Sequence, residues 1–308
     1  MATHRQVRSM ALRLKKAGIG PNTMETVEGS RERLRQVVRI MRGPPRSLAQ
    51  VRETSIEGPE RSIPVRIYEP RKSPKGGAVP IVLFFHGGGW IIGGLDTSDE
   101  TLGVLCDLSG ALVVSVDYGL APEHRFPSGL EDCYASTVWA AKNASALGCD
   151  PRKLVVAGAS AGGNLAAATT LLARQRKGPR IAYQILIYPN VDMQRDMSRF
   201  ADSEFGPTTA ELEWMIGLYL PEKRETRNPL VSPLLGDLRE LPPALIFTAE
   251  NDPLREQGED YAKELRRVGV RTRIVNYPGA VHGFWNFPSH FDSADDAVRK
   301  AARAIKRL

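Results

Sequence analysis

The sequence predicts a three-layer α/β architecture, a mostly parallel sheet held between helices, and three observations lead there. Apolar runs of four to seven residues recur along the chain from Ile63 onward, as strands buried on both faces require. Segments with helical spacing alternate with those runs. The composition, 42% apolar and 25% charged over 308 residues, is that of an ordinary globular chain, which sets aside disordered and collagen-like architectures. No apolar run approaches the ~18 residues that span a bilayer.

The elements follow in order. Val7, Met10, Ala11 and Leu14 mark a first amphipathic helix. A second carries Leu34, Val37, Val38 and Met41 at i, i+3, i+4 and i+7, with Arg35, Arg39 and Arg42 off the stripe. Ile63–Ile67 alternates and stops before Pro70, which suits an edge strand. Val79–Phe85, Ala111–Val116, Leu154–Ala157, Ile181–Ile187, Ala244–Thr248 and Arg271–Val275 are the remaining strands. The intervening helices are Leu130–Ala146, Leu165–Ala173, Tyr261–Val268 and Ala294–Leu308. One interruption stands out: 54 residues separate Pro189 from the strand at Ala244, and they include an aromatic-rich helical piece, Ala210–Tyr219, with Trp214. That insertion and the N-terminal helices are expected to form a lid over the carboxyl edge of the sheet.

The net charge of +7 raises a nucleic-acid function, and its location argues against one. Residues 1–50 hold 11 basic and 3 acidic side chains, a balance of +8, so the other 258 residues carry −1. No aromatic residues interleave with those arginines and no nucleic-acid motif accompanies them, so a solvated helical face is expected, without nucleic-acid binding or membrane insertion. The first fifteen residues hold no continuous apolar stretch, so no secretory signal and a cytoplasmic location are expected. Cys106, Cys133 and Cys149 show neither CxxC spacing nor histidine pairing, and are expected to be buried apolar residues.

Two motifs carry chemistry. Gly158-Ala159-Ser160-Ala161-Gly162 has the form G-x-S-x-G and falls between a buried strand and a helix. At such a corner a sharp turn exposes Oγ, and the following helix aims its positive end at Ser160. His86-Gly87-Gly88-Gly89-Trp90 follows strand Val79–Phe85, and its glycines let backbone N–H groups approach a reacting carbonyl. His86 itself suits a structural hydrogen bond better than a base.

A serine hydroxyl needs an imidazole to take its proton. Of the five histidines, His282 lies in a loop after the last strand, where the carboxyl edge brings it toward Ser160. The order Ser, acid, His places the acid after Leu245–Ala249, where Asp252 is the candidate and Glu250 its near competitor.

These motifs add up to a family. HGGGW at 86–90, DYGLAPE at 117–123, GASAGGN at 158–164, DPLR at 252–255 and HGF at 282–284 occur in an order that resembles the bacterial hormone-sensitive-lipase family (family IV) of esterases. The resemblance runs from about residue 50 to the end. It implies an α/β-hydrolase fold with a mostly parallel eight-stranded sheet and a helical cap. Residues 1–48 would form the N-terminal part of that cap, 49–308 the catalytic domain, and about 190–230 a further cap insertion. It also implies Ser160 as nucleophile, His282 as base, Asp252 as orienting acid, and an oxyanion hole from the N–H of Ala161 with Gly88 and Gly89, Gly87 being the alternate. Two positions depart from the pattern: Ala159 stands where many members carry Asp, and Gly119 where they usually carry Arg. Altered local hydrogen bonding, not loss of activity, is the expectation.

A serine carboxylesterase acting on a small ester of short to medium chain length follows, with neither a metal nor an organic cofactor implied. The alternatives are the same chemistry on an amide or an acetylated specialised substrate, and a non-catalytic binding protein like the plant gibberellin receptors. Trp90, Tyr188 and Trp214 are candidate pocket liners, and a homodimer through the sheet edge near the last strand is compatible with the family.

Overall fold

The computed structural model describes residues 2–20, 26–44, 46–71, 78–196 and 206–308. Among them one sheet contains β1 (Gln50–Glu57), β2 (Ser62–Glu69), β3 (Val79–Phe85), β4 (Leu112–Val116), β5 (Cys149–Ala159), β6 (Tyr183–Ile187), β7 (Ala244–Asn251) and β8 (Thr272–Val281). The strands lie side by side in the order β1-β2-β4-β3-β5-β6-β7-β8. The β1–β2 and β2–β4 pairs are antiparallel and all later pairs parallel. The chain winds in one direction from β3 to β4 and in the other from β5 to β8, so the order reverses between β3 and β5. In open α/β sheets, that reversal opens a crevice at the carboxyl ends of the strands.

The helices are α1 (Ala2–Lys16), α2 (Val27–Met41), α3 (Asp99–Ser109), α4 (Ser128–Asn143), α5 (Ala161–Gln175), α6 (Thr209–Tyr219), α7 (Arg255–Arg267) and α8 (Asp292–Ile305). Strand β3 shows why the sheet needs both layers. Ile81, Leu83 and Phe85 enter a core shared with α4, α5 and α7, whereas Val82 and Phe84 enter a second core shared with α1, α3 and α8. Each such side chain, buried outright, stabilises the fold by about 1.5–3 kcal/mol relative to exposure.

Two elements were absent from the sequence expectation. Strand β1 exposes seven of its eight residues and buries only Ile56, so no apolar run announces it. It is held by its ladder to β2, with Arg52 Nε 2.8 Å from Glu69 across the pair. Helix α3 buries Thr101, Leu102, Val104, Leu105 and Cys106 on several faces, which erases the one-sided stripe that marks a surface helix. The three cysteines are buried and unpaired, as their spacing suggested, and burial pushes the Cys149 thiol up to about 12.

The segment after β4 forms a bridge between the sheet and the glycine loop. Asp132 of α4, almost wholly buried, accepts hydrogen bonds from Gly119 N and Arg61 Nε, both at 2.9 Å. Arg61 also donates to the Asp117 carbonyl. A Cβ at Gly119 would come within 2.9 Å of His124 Cβ, so the residue sits where the turn has no room for a side chain. The bridge then reaches the glycine loop, because Tyr118 Oη donates to the His86 carbonyl at 2.8 Å and Ala121 N donates to the Trp90 carbonyl at 2.9 Å. Asp132→Ala would leave Arg61 and the Gly119 N–H without an acceptor. A loss of about 3 kcal/mol is expected in urea unfolding; a loss below about 1 kcal/mol would mean that solvent replaces the carboxylate.

Candidate active site

Residue 160 begins where β5 ends, and the chain turns into α5 with Ser160 at φ 56° and ψ −117°. A positive φ is costly for any residue with a Cβ, by about 1–3 kcal/mol, and persists only where surrounding packing enforces it. The enforcement is visible on both sides of the turn. A Cβ on Gly158 would overlap the Gly162 carbonyl, and a Cβ on Gly162 would overlap the Phe85 carbonyl at the end of β3. The first turn of α5 therefore lies directly against β3, and Ser160 N donates to the Ile187 carbonyl of β6 at 2.8 Å.

Three loops converge on that turn. From the end of β8, His282 brings Nε2 to 2.9 Å from Ser160 Oγ. Its Nδ1 lies 2.8 Å from Asp252 Oδ2, on the loop after β7. A carboxylate only accepts, so Nδ1 carries the proton and Nε2 is left to accept from the serine hydroxyl. Asp252 is buried, and its other oxygen accepts from Leu254 N at 2.8 Å, which fixes the carboxylate plane. The competitor Glu250 is exposed and turned elsewhere, accepting from Gly279 N at 2.6 Å.

The third loop is the glycine run after β3. Gly87, Gly88 and Gly89 line the cavity beside Ser160, and a Cβ on Gly87 would approach Ala159 O to 3.0 Å and Ser160 Cβ to 3.5 Å. Gly88 and Gly89 have φ of 127° and 57°, the region that favours glycine. Ala161 is the first residue of α5, so its N–H has no partner inside the helix. His86 is fully buried, with Nδ1 2.8 Å from the Gly87 carbonyl and its ring 4.4 Å from that of Tyr118. Burial lowers its pKa, which keeps the ring neutral and structural. His290 likewise bonds the Met41 carbonyl at 2.8 Å, far from this chemistry.

Above Ser160 lies a cavity of about 200 Å³. Ser30, Arg33, Leu34 and Val37 of α2 form one wall, and Leu212 and Met215 of α6 form another. Trp90 and Tyr188 line it, Trp90 stacking on Tyr219 at 4.7 Å and Tyr188 lying 4.5 Å from the His282 ring. Trp214 takes no part in the lining. It sits one residue before Met215, a turn of about 100° around the helix, and packs half-buried on the core below. Only the second N-terminal helix reaches the site, since α1 buries Val7 in the layer beside β8. The 190–230 stretch contributes through α6; its residues 197–205 lie outside those described.

Several supporting residues escaped the sequence motifs. Gln257 of α7 accepts from Val191 N and Asp192 N, both at 2.9 Å, and so holds the loop after β6. Arg31 of α2 donates to the Ile91 carbonyl at 2.9 Å and the Ala121 carbonyl at 3.1 Å, and grips Glu123 with two bonds of 2.7 Å. That grip holds the Glu123 carboxyl at about 2. No spacing rule signals such long-range partners.

Residues 82–286 match the family model described as alpha/beta hydrolase fold. The chain belongs to this family, in its hormone-sensitive-lipase-like branch. The hydrolase is 39% identical over 291 residues to the carboxylesterase NlhH of Mycobacterium tuberculosis, a match covering 91% of this chain and 89% of that one. It is also 39% identical to an arylesterase of Saccharolobus solfataricus, over 78% of this chain and 79% of that one. Among solved structures, the Pyrobaculum calidifontis esterase superposes with a TM-score of 0.86 at 40% identity, covering 92% of this chain and 93% of that one. Among its described residues the hydrolase has no helix long and apolar enough to cross a membrane, and no group of three or more His, Cys, Asp or Glu that could hold a metal ion.

The contact between Gly162 and the Phe85 carbonyl predicts the effect of Gly162→Ala. Displacing the turn by a fraction of an ångström separates Ser160 from His282. Covalent labelling of Ser160 by a fluorophosphonate, followed by mass spectrometry, is expected to slow on the order of 10²-fold. Unchanged labelling would show that the turn tolerates the methyl group.

Proposed function

We infer that this α/β-hydrolase is a serine carboxylesterase acting on short- to medium-chain esters through an acyl-enzyme intermediate. One observation carries the reading: an unbroken hydrogen-bonded chain, Ser160 to His282 to Asp252, opens into a cavity walled largely by apolar side chains. The esterase names of relatives that match most of the chain support it.

Ser160 Oγ attacks the ester carbon as its proton passes to His282 Nε2. The tetrahedral oxyanion is held by the N–H of Ala161 with Gly88 and Gly89, at the positive end of α5. The imidazolium gives its proton to the departing alkoxide, which leaves as the alcohol. Water then enters, His282 takes one of its protons as the oxygen attacks the acyl carbon, and the imidazolium returns that proton to Ser160 Oγ as it departs, releasing the acid and restoring the serine hydroxyl. Asp252 keeps the imidazole in the tautomer that makes this possible. Helices α2 and α6 act as the cap that excludes water, with α1 as an anchor outside the site. Three unpaired buried cysteines are consistent with the reducing conditions of a cytoplasm.

Hydrolysis of p-nitrophenyl esters from acetate to palmitate tests this reading. Turnover should peak at short or medium chains and vanish in Ser160→Ala, while undiminished turnover in a folded Ser160→Ala protein would sink the assignment. Asp252→Asn keeps the shape but favours the wrong tautomer. Its kcat is expected to fall by about 10⁴, measured on the best ester of the series; a fall of less than about tenfold would give the orienting role to another group.

A further inference from the structure

The wall that α2 turns toward Ser160 carries a charge that the ester chemistry leaves unused. Arg33 lines the cavity together with Leu34, Val37, Leu212 and Met215. Its guanidinium has five N–H donors, and among the described residues it spends one, Nη2 donating to the Gly20 carbonyl at 2.8 Å. No carboxylate among the described residues lies within ion-pair distance of it, in contrast to its neighbours on the same helix. Arg31 is matched by Glu123, and Arg35 by Glu28 and Glu32. The acid whose charge bears on Arg33 is the buried Glu211, and one oxygen of that side chain caps α6 by accepting from Thr208 N at 2.7 Å. Burial lowers the pKa of Arg33, and the charge of Glu211 opposes that effect.

A second groove, of about 480 Å³, meets this cavity at Leu34 and Thr97, which line both. Arg31, Arg35, Arg39, Arg42 and Arg66 line the groove together with Glu53, Asp96 and Asp117; Arg31, Arg35, Arg42 and Arg66 are ion-paired, and Arg39 makes no ion pair among the described residues. An anion approaching Ser160 from that side meets Arg39 along the groove and, at the end, Arg33 with no ion pair among the described residues.

We propose that Arg33 makes this site select esters that carry a carboxylate, through a forked ion pair formed as the substrate seats beneath α2. The proposal rests on the esterase reading above. A forked guanidinium–carboxylate pair is geometrically specific, and in an apolar cavity it is stronger than at the surface. A neutral ester of the same length leaves Arg33 as unmatched as before.

Two pairs of near-isosteric substrates test it by placing the carboxylate on either side of the scissile bond. Monomethyl adipate is compared with methyl hexanoate, and 6-acetoxyhexanoate with hexyl acetate. The quantity read is the ratio of kcat/KM for charged over neutral ester within one enzyme preparation, so any loss common to both substrates cancels. In Arg33→Leu the ratio should fall about tenfold or more for at least one pair, chiefly through KM, as expected for a lost charge-assisted hydrogen bond. Arg33→Lys should keep part of the preference, and Arg33→Gln serves if the leucine variant does not fold. Unchanged ratios for both pairs, in enzymes that still hydrolyse the neutral esters, would overturn the role of Arg33 and leave the esterase reading standing. A wild-type protein inactive on all four esters would overturn both.

Discussion

The contact on which the site depends is the approach of α5 to the carboxyl end of β3. Phe85 presents its carbonyl where a side chain on Gly162 would have to stand, and Gly158 faces the Gly162 carbonyl with equally little room. Two missing methyl groups thus let the helix start directly beside the strand, with Ser160 in a backbone conformation that non-glycine residues rarely adopt. Because β3 and β5 are neighbours across the reversal in strand order, the glycine loop ending one strand and the serine ending the other share a crevice. The exposed Oγ and the N–H at the head of α5 both follow from that contact.

The other half of the site depends on strand ends further along the sheet. β7 and β8 pair in parallel, so the loops after them leave on the same edge and bring Asp252 under His282. Each loop has its own brace: Leu254 N on Asp252, Gln257 on the segment after β6, and Tyr118 with Ala121 on the glycine loop. These braces matter because a proton transfers efficiently only between atoms already at hydrogen-bond distance. Leu254, Tyr118 and Ala121 lie within the DPLR and DYGLAPE motifs, whereas Gln257 comes from α7 outside them.

What could be read in the sequence divides along the same line. The buried parallel strands were legible because both their faces are covered and their apolar runs are continuous; Val79–Phe85 matches β3 residue for residue. The ends of others were blurred, β8 running on to Val281 because its edge position admits polar residues such as Arg273 and Asn276. Strand β1 stayed hidden for a related reason, being held by backbone pairing with almost no burial. At the site, the meeting of Ser160, Asp252 and His282 in one hydrogen-bonded chain was legible because a hydroxyl, a carboxylate and an imidazole in that chain order follow strands that end on one edge of the sheet. Trp214 misled because α6 carries apolar side chains on more than one side, so an aromatic residue there reports burial without saying which way it faces. Arg31 and Gln257 were illegible because their partners lie at sequence separations of 60 or more, where one sequence records no pairing.

Arg31 has a consequence of its own. One guanidinium holds α2 to the Ile91 carbonyl at the back of the glycine loop, and to Ala121 and Glu123 on the turn that supports it. Any outward swing of α2 wide enough to admit a bulky molecule from that side must release those bonds, and with them a support of the backbone that faces the reacting carbonyl. Opening the roof and loosening the floor are therefore one mechanical event.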